Sequence, residues 1–556
     1  MAYAPYGAGG VIIRVEADIR RGIPGIDISG LAEGAVREAK ERVRAAFRNS
    51  GFTFPLDRIL INLAPAGLRK DGAALDLPIA LAVMAAAGLA PVPPDLLVMG
   101  ELELSGNIRP VRGVLAAIAG GLEEGITEFI VPAENKGEAA ILYGAGKNPV
   151  MRFRAVASLR EAVDALFFRE ENGILSVTEE PNANNCISPE STETTNTEIT
   201  DFADVRGQAV YKRALEVAAA GGHNMLVFGP PGAGKTMLAR RLPSIMAPLT
   251  PDEAVEVTRL YSLAGPYKTG TGLIDKLITQ PPFRAPHHSA SVEGILGGGR
   301  IPHPGEISLA HFGVLFLDEA PEFKINVLQA LREPLEDRVI SISRAEGPLR
   351  LPAEFQMILA ANSCPCGRLG IRHNDNGMDG YHEMQTCLCS PEEISRYWRR
   401  FGGALLDRIE IRTAVIPPSV NEIGITSGDE PQPSPLAGEG SPLEERSAVI
   451  AARVKAAVEI QQLRYKGMGI RRNALIPAGK IEKFCGMDKQ VRDAFHKALA
   501  RLGLSGRAYH GILRVARTIA DLDNKETIGT EHILEAVQHR RYGEDPYEIV
   551  TMGIGG

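Results

Sequence analysis

The chain has 556 residues, of which 44% are hydrophobic and 23% are charged, and its mean hydropathy is -0.04. This length is too great for one hydrophobic core and predicts about three or four domains, while the composition excludes a fibrous or wholly disordered protein. The formal net charge of -7 gives no global attraction to nucleic acid, so DNA binding would require a local basic surface or an inward-facing ring.

No apolar stretch approaches the roughly 20 residues that span a bilayer, and the opening residues "MAYAPYGAGG" lack a basic region followed by an apolar one. These features predict a cytoplasmic protein without a membrane partner. Six cysteines in so long a chain do not indicate a disulfide scaffold, and four of them form two close pairs, which indicates metal binding instead.

Two polar stretches divide the chain. Residues 170–200 are rich in Glu, Asn, Ser and Thr and contain only acidic charges, and residues 425–445 combine Pro, Gly, Ser and acid. Three blocks remain. Residues 1–169 are predicted to be mixed α/β, and residues 201–424 alternate strand-like apolar runs with helical ones. Residues 446–556 are predicted to be helical. We therefore expect a multidomain α/β protein with two linkers.

The segment "GPPGAGKT" fits the pattern G-x-x-x-x-G-K-[ST], with a strand before it and a helix after it. In such a loop, glycines let backbone N–H groups surround phosphates, Lys235 reaches the β and γ oxygens, and Thr236 binds Mg²⁺. The residues predicted to bind nucleotide are Gly229, Pro230, Pro231, Gly232, Ala233, Gly234, Lys235, Thr236 and Met237.

Two later apolar runs end in polar side chains of the kind that ATP hydrolysis requires. The run at 314–317 is followed by Asp318, which can hold Mg²⁺, and by Glu319, which can orient and deprotonate water. The run "FQMILAAN" ends in Asn362, whose amide can contact the γ-phosphate or the attacking water. Since parallel strands place their carboxyl ends at one sheet edge, the three sites should meet there.

These elements, followed by "LLDRIE", resemble the AAA+ ATPases. The resemblance implies that Arg408 is an arginine finger supplied to a neighbouring subunit, which would require an oligomer. The alternative is a surface ion pair of Arg408 with Asp407 or Glu410. In "LSGRAYHGILRVARTIADL", Arg507 fits best the second sensor arginine of the AAA+ lid, and Arg514 is the other candidate.

The stretch "FRAPHHSASVEGILGGGRIPHPGEISLAHFGVLFLDEAPEF" resembles the magnesium-chelatase-like AAA+ group, and within it the ComM (YifB) family. The resemblance to that family extends over nearly the whole chain. The resemblance implies a Lon-protease-like N-terminal domain of the ribosomal S5 domain 2-like α+β fold, a P-loop AAA+ domain and a C-terminal helical lid. It also implies a hexameric, ATP-driven motor that promotes DNA branch migration in recombination and natural transformation. A chelatase motor subunit that inserts metal into a tetrapyrrole is the alternative.

An ATP-dependent protease is a further alternative, which the first block argues against. Lon-like proteases use a serine two residues after "KDG" and a lysine in a later helix. Here Ala74 stands at the serine position and Leu115 at or near the lysine position. We therefore expect a domain that keeps the fold without the peptidase chemistry.

Cys364, Cys366, Cys387 and Cys389 bracket a polar insertion at 364–389. Four thiolates in two local pairs suit a tetrahedral structural Zn²⁺ site, and free thiols are the alternative.

Several other residues have two readings. A hairpin with its turn at 344–347 makes Arg344 and Arg350 candidates for phosphate contacts with DNA, or solvated surface charges. The tract "ISRYWRRFGG", with Tyr397 and Trp398 among arginines, suits nucleic acid or a subunit contact equally. The adjacent histidines in "FRAPHHSAS" should point apart, which argues against a shared metal.

Overall fold

The computed structural model describes residues 1–31, 34–70, 72–144, 151–167, 201–265, 273–300, 302–343, 348–369, 387–415, 445–502 and 506–540. The predicted linker at 170–200 lies outside these residues, as do Arg344 and all of the predicted linker at 425–445 except its last residue. The domain boundaries placed in those linkers therefore stay predictions.

The first block combines helices with two principal sheets. A four-stranded sheet has the order β1-β2-β4-β3, with β3 parallel to β4 and the other pairs antiparallel. A three-stranded parallel sheet has the order β5-β8-β9, and β6 and β7 form a short antiparallel pair. The strands are β1 Ala2–Tyr6, β2 Gly9–Arg20, β3 Gly25–Ser29, β4 Arg58–Ala64, β5 Leu96–Val98, β6 Glu101–Leu102, β7 Ile108–Arg109, β8 Glu128–Pro132 and β9 Arg152–Val156. The helices are α1 Gly34–Asn49, α2 Asp76–Ala86, α3 Val114–Glu123, α4 Lys136–Gly144 and α5 Leu159–Phe167.

The middle block is built on a parallel sheet of five strands in the order β11-β14-β17-β10-β18. The strands of this block are β10 Met225–Phe228, β11 Phe283–Arg284, β12 Gly297–Gly298, β13 His303–Pro304, β14 Val314–Leu317, β15 Val339–Ile342, β16 Leu349–Pro352, β17 Gln356–Ala361 and β18 Ile411–Ala414. The helices are α6 Ala209–Gly221, α7 Lys235–Ala239, α8 Pro251–Ala264, α9 Val292–Leu296, α10 Glu306–Leu309, α11 Ile325–Ala330, α12 Arg332–Asp337, α13 Pro391–Arg399 and α14 Gly403–Leu406.

The three central strands of this sheet are buried on both faces. Val314 and Phe316 point into one hydrophobic core, whereas Leu315 and Leu317 of the same strand point into another. Because both faces of such a strand are buried, its residues do not alternate between polar and apolar, and its sequence is a continuous apolar run. The predicted strand at 314–317 is confirmed, and so is the hairpin, formed by antiparallel β15 and β16.

The last block is helical, as predicted. Its helices are α15 Ser447–Arg464, α16 Ile481–Phe484, α17 Lys489–Leu502, α18 Gly506–Leu522 and α19 Thr530–Gln538. Buried side chains of α15 and α18 belong to the same hydrophobic core as residues of α6 and of the central strands. Ion pairs reinforce this contact, because Arg453 lies 2.6 Å from Glu216 and Arg213 lies 2.8 Å from Glu535.

The first block contacts the middle block through α8. The backbone N–H of Gly113 donates to the carbonyl of Ser262 at 3.1 Å. The buried carboxylate of Glu138 accepts hydrogen bonds from the Ser262 hydroxyl and, at 2.9 Å, from the Leu115 N–H. Burial raises the pKa of Glu138, and these hydrogen bonds partly offset the rise. A buried acid therefore joins the two blocks.

The multidomain α/β class is confirmed, whereas the ribosomal S5-like detail of the first block and the lid role of the last block stay predictions. In the part of the chain that the structure describes, no helix has both the length and the apolar character needed to cross a membrane.

Candidate nucleotide site

The predicted phosphate loop runs from β10 to α7. Gly234 has φ of +85° immediately before α7 begins at Lys235, a conformation that residues with a side chain rarely adopt. Ala233 is buried, Pro231 and Gly232 are exposed, and Met237 on α7 is also exposed. The backbone path that the motif predicts is therefore present, with part of the loop facing solvent.

The Lys235 side chain is folded into this loop. Its Nζ donates to the carbonyls of Gly229 at 2.8 Å and Pro230 at 2.9 Å, and to Oδ1 of Asn362 at 3.2 Å. Burial lowers the pKa of Lys235, and the charges of Asp318 and Glu319 oppose that shift. The ammonium thus lies between the loop and the end of β17, where it connects two of the predicted sites.

The acidic pair adjoins the loop at the end of β14. Thr236 Oγ1 donates to Asp318 Oδ2 at 2.8 Å, and the Glu319 N–H donates to Asp318 Oδ1 at 3.0 Å. Glu319 has φ of +48°, and its side chain is 59% exposed. The hydroxyl and carboxylate predicted to share a Mg²⁺ ion are therefore neighbours, while the carboxylate predicted to activate water faces solvent.

Asn362 is anchored by Tyr397, which the sequence places among residues suited to nucleic acid or a subunit contact. The backbone N–H of Asn362 donates to the hydroxyl of Tyr397 at 3.2 Å, and Trp398 Nε1 donates to the carbonyl of Ser363 at 3.1 Å. Tyr397 and Trp398 are both buried. The reading of these aromatics as a surface for nucleic acid or a subunit is therefore wrong, because their rings pack in the core beside the strand end.

Tyr211 is a second contact that no local pattern indicated. Its buried hydroxyl donates to the carbonyl of Lys235 at 3.0 Å. Because Tyr211 and Tyr397 act on the site from helices remote in sequence, only the folded structure could identify them.

His288 lies beside the acidic pair, with Nδ1 at 3.8 Å from Glu319 Oε2. The centroids of the His287 and His288 rings are 4.1 Å apart and their planes are inclined by 36°. The expectation that the two rings point apart is wrong, because the chain turns at 287–290, where the Ala290 N–H donates to the His287 carbonyl, instead of continuing as a regular strand.

The predicted finger and sensor arginines meet at one carboxylate. Glu336, at the end of α12, lies 2.5 Å from Arg408 Nη2 and 3.3 Å from Arg507 Nη2. Arg408 is 14% exposed and Arg507 is 57% exposed. The alternative prediction that Arg408 pairs with Asp407 or Glu410 is wrong, because Arg408 forms its ion pair with Glu336.

Arg514 differs from Arg507 although both lie on α18. It donates to the carbonyl of Ile476 from Nε at 3.0 Å and from Nη2 at 2.6 Å. Burial lowers the pKa of Arg514, and the charge of Glu410 opposes the shift. Arg514 thus ties α18 to the segment between α15 and α16, which leaves Arg507 as the more accessible guanidinium.

The four cysteines form one cluster in which the Sγ atoms all lie within 4.8 Å of one another. This arrangement could hold a metal ion.

On the hairpin, Arg350 is exposed on β16 opposite Ser341 of β15, a position that is open to a partner.

The two protease positions of the first block have no polar chemistry. Leu115 is fully buried on α3, and Ala74 packs against the same apolar cluster. Neither side chain can act as a nucleophile or a base.

Comparisons with known proteins cover the chain almost end to end. The family described as magnesium chelatase, subunit ChlI, matches residues 201–423, the subunit ChlI family of Mg-chelatase matches 15–135, and the ChlI C-terminal family matches 444–540. The protein YifB of Salmonella typhimurium is 39% identical over 531 residues, which cover 95% of this chain and 94% of that protein. The competence protein ComM of Haemophilus influenzae is 37% identical over 544 residues, which cover 97% and 96%.

A Lon protease of Salinispora arenicola is 28% identical over 137 residues, only 23% of this chain and 18% of the protease. That likeness is confined to a short N-terminal part, whereas the relatives above match nearly their full length. The chain therefore belongs to the ComM and YifB family, and it matches magnesium-chelatase ChlI-type families over most of its length.

Proposed function

We propose that this chain is a Mg²⁺-dependent AAA+ ATPase that assembles into a ring, most simply a hexamer, and moves on DNA. The observation that carries the ATPase proposal is the direct contact of Thr236 with Asp318 at 2.8 Å, beside Lys235 bonded to Asn362. Side chains from three strand ends are thereby assembled at one edge of a parallel sheet, where nucleotides bind in such folds.

Each group has a defined task in this proposal. The loop N–H groups and the Lys235 ammonium would bind phosphate oxygens in place of the loop carbonyls. Thr236 and Asp318 would hold Mg²⁺, which when bound neutralises phosphate charge. Glu319 would orient the attacking water and accept its proton. Asn362 would contact the γ-phosphate or that water. The proposed cofactors also include a Zn²⁺ ion, which the four cysteines of the cluster would hold.

A neighbouring subunit would complete the site. Arg408 would supply charge to the transferring phosphoryl group, with Arg507 as the second sensor. The shared carboxylate of Glu336 supports this part of the proposal, because it gathers both guanidinium groups on one surface of the protomer. In this proposal a neighbour's triphosphate would replace Glu336 as the anionic partner of both guanidinium groups.

The action on DNA rests on family membership and on a relative called a competence protein. DNA branch migration during recombination and natural transformation is the activity that the family resemblance implies. Arg344 and Arg350 of the hairpin would bind phosphates without sequence preference, and such contacts weaken as salt rises. Because ATP and chromosomal DNA meet in the cytoplasm, the proposal places the protein there.

A magnesium-chelatase motor is the second candidate, favoured by the three ChlI-type family matches. Both candidates hydrolyse ATP, but only the DNA motor should respond to DNA. The apolar Ala74 and Leu115 argue against the protease alternative.

The test is steady-state ATP turnover of the full chain with and without single-stranded or branched DNA. We expect stimulation by at least one of them, decreasing as salt rises. Unchanged turnover with every DNA would exclude the DNA motor, and absent turnover would exclude the ATPase.

The shared site is tested by mixing variants. Arg408→Ala and Lys235→Ala should each be inactive alone, because the first lacks a finger and the second a competent loop. Mixed rings contain some interfaces with an intact loop facing an intact finger, so part of the turnover should return. A mixture that stays as inactive as its components would contradict a finger acting between subunits.

A further inference from the structure

The four cysteine sulfurs have the separations of a metal site. Cys364 Sγ lies 3.3 Å from Cys366 Sγ and 3.6 Å from Cys387 Sγ, and the latter two are also 3.6 Å apart. A disulfide would require about 2.05 Å. Four sulfurs bound tetrahedrally at about 2.3 Å from Zn²⁺ are about 3.8 Å apart. The cluster therefore fits one tetrahedral ion, and four thiolates favour zinc over harder metals.

The first cysteine pair lies on a turn that touches the phosphate loop. The Gly367 N–H donates to the carbonyl of Cys364 at 3.0 Å, and Gly367 has φ of +76°. A Cβ atom added to Gly367 would lie 2.9 Å from Cδ and 3.0 Å from Cγ of Pro231. There is no room for a methyl group between them, so the turn packs directly on an exposed part of the loop.

The second cysteine pair leads into the helix that holds Asn362. Helix α13 begins after Ser390, whose hydroxyl caps it by accepting from the Glu393 N–H at 3.2 Å. The same helix carries Tyr397, which accepts the Asn362 N–H. An ion shared by the two pairs would therefore close a ring that contains Asn362, the Cys364–Gly367 turn and α13.

We propose that the cysteine cluster binds Zn²⁺ and that the bound ion is a positioning device, which holds the Cys364–Gly367 turn against Pro231 and keeps Asn362 beside Lys235. The positioning part rests on the proposed nucleotide site, whereas the metal part does not. Without the ion, the two cysteine pairs separate and the phosphate loop loses its support at Pro231.

The metal is tested by elemental analysis of the purified full chain. We expect about one zinc per chain in the wild type, little in Cys366→Ser and near wild-type content in Cys366→His, since imidazole replaces thiolate as a ligand. Cys366 is exposed, so its substitution should leave the core folded, which circular dichroism checks. Cys485→Ala, outside the cluster, is the control and should keep its zinc. A wild-type protein that neither contains zinc nor takes up added Zn²⁺, or that holds iron instead, would refute the site.

The positioning role is tested by hydrogen exchange, which does not require enzymatic activity. Removing zinc with a chelator should accelerate exchange in residues 229–236 and 362–367 but leave the strands of the first block unchanged. Equal exchange in the phosphate loop with and without zinc would refute the positioning role. This readout remains valid if the protein hydrolyses no ATP, so the two proposals can fail separately.

A glycine pair separates metal binding from positioning. Gly367→Ala keeps all four ligands but forces a methyl group against Pro231, so zinc should remain while affinity for a fluorescent ATP analogue falls about 10-fold. Gly467→Ala is the matched control, because Gly467 has φ of +75° with no neighbouring atom within 4 Å. Unchanged affinity and loop exchange in Gly367→Ala would contradict the proposed contact.

Discussion

The nucleotide site and the protease-like region of the first block differ in their chemistry rather than in their degree of order. In the first, two hydrogen-bonded pairs, Lys235 with Asn362 and Thr236 with Asp318, lie at one sheet edge. In the second, Leu115 and Ala74 pack into an apolar cluster. Both regions contain buried side chains, but only one presents groups whose chemistry suits phosphate binding or proton transfer. A fold family thus sets where a site can be, while the side chains decide whether it has a reaction.

The largest effect should come from Lys235→Ala. This substitution removes the only side-chain cation that the structure places in the described loop, so affinity for ATP should fall by about 100-fold or more. Equilibrium binding of a fluorescent ATP analogue measures the change. Lys455→Ala, at an exposed position on α15, is the control. If folded Lys235→Ala protein retained wild-type affinity for the ATP analogue, the proposed chemical difference between the two regions would be wrong.

Glu319→Gln should separate binding from hydrolysis. The amide keeps the size of the side chain but cannot accept a proton, so turnover should fall about 100-fold or more while nucleotide affinity stays near wild type. Single-turnover hydrolysis and analogue binding together measure this split. Glu322→Gln changes an exposed acid nearby and should have little effect. Full turnover in Glu319→Gln would show that another group activates the water.

Leu115→Ala should affect stability without affecting nucleotide chemistry. Removing a fully buried leucine side chain should destabilise the first block by about 2–5 kcal/mol, since the cavity closes only partly. Denaturant unfolding measures the loss, and Leu104→Ala, at a 57% exposed position of the same block, is the control. If folded Leu115→Ala protein lost ATP binding, the first block would be more than a structural neighbour of the site.

Much of the site could be read from short segments because its chemistry is local. The loop from Gly229 to Thr236 follows a buried strand, and Asp318 and Asn362 each follow another. Parallel strands whose carboxyl ends share one edge bring such residues together, so their meeting could be predicted. The cysteine cluster could also be predicted, since the two cysteines of each pair lie close together in the sequence.

The contacts made by remote side chains could not be predicted in this way. The arginines around Tyr397 predict a surface contact, yet the Tyr397 hydroxyl accepts the hydrogen bond from the Asn362 N–H. The sequence offers Asp407 and Glu410 as ion-pair partners of Arg408, but the partner is Glu336, about 70 residues earlier in the chain. An extended chain predicts that the His287 and His288 rings point apart, but the turn at 287–290 brings them together.

The amino-acid sequence alone determined the α/β class, the glycine-rich loop before α7 and the order along the chain of the strands followed by acid and amide, because each depends on backbone preferences and burial within a few residues. Tertiary structure decided which helix holds Asn362, which carboxylate gathers Arg408 and Arg507, and that the Cys364–Gly367 turn rests on Pro231. Those contacts depend on how elements distant in sequence pack on one another, and packing is a property of the whole core rather than of any segment.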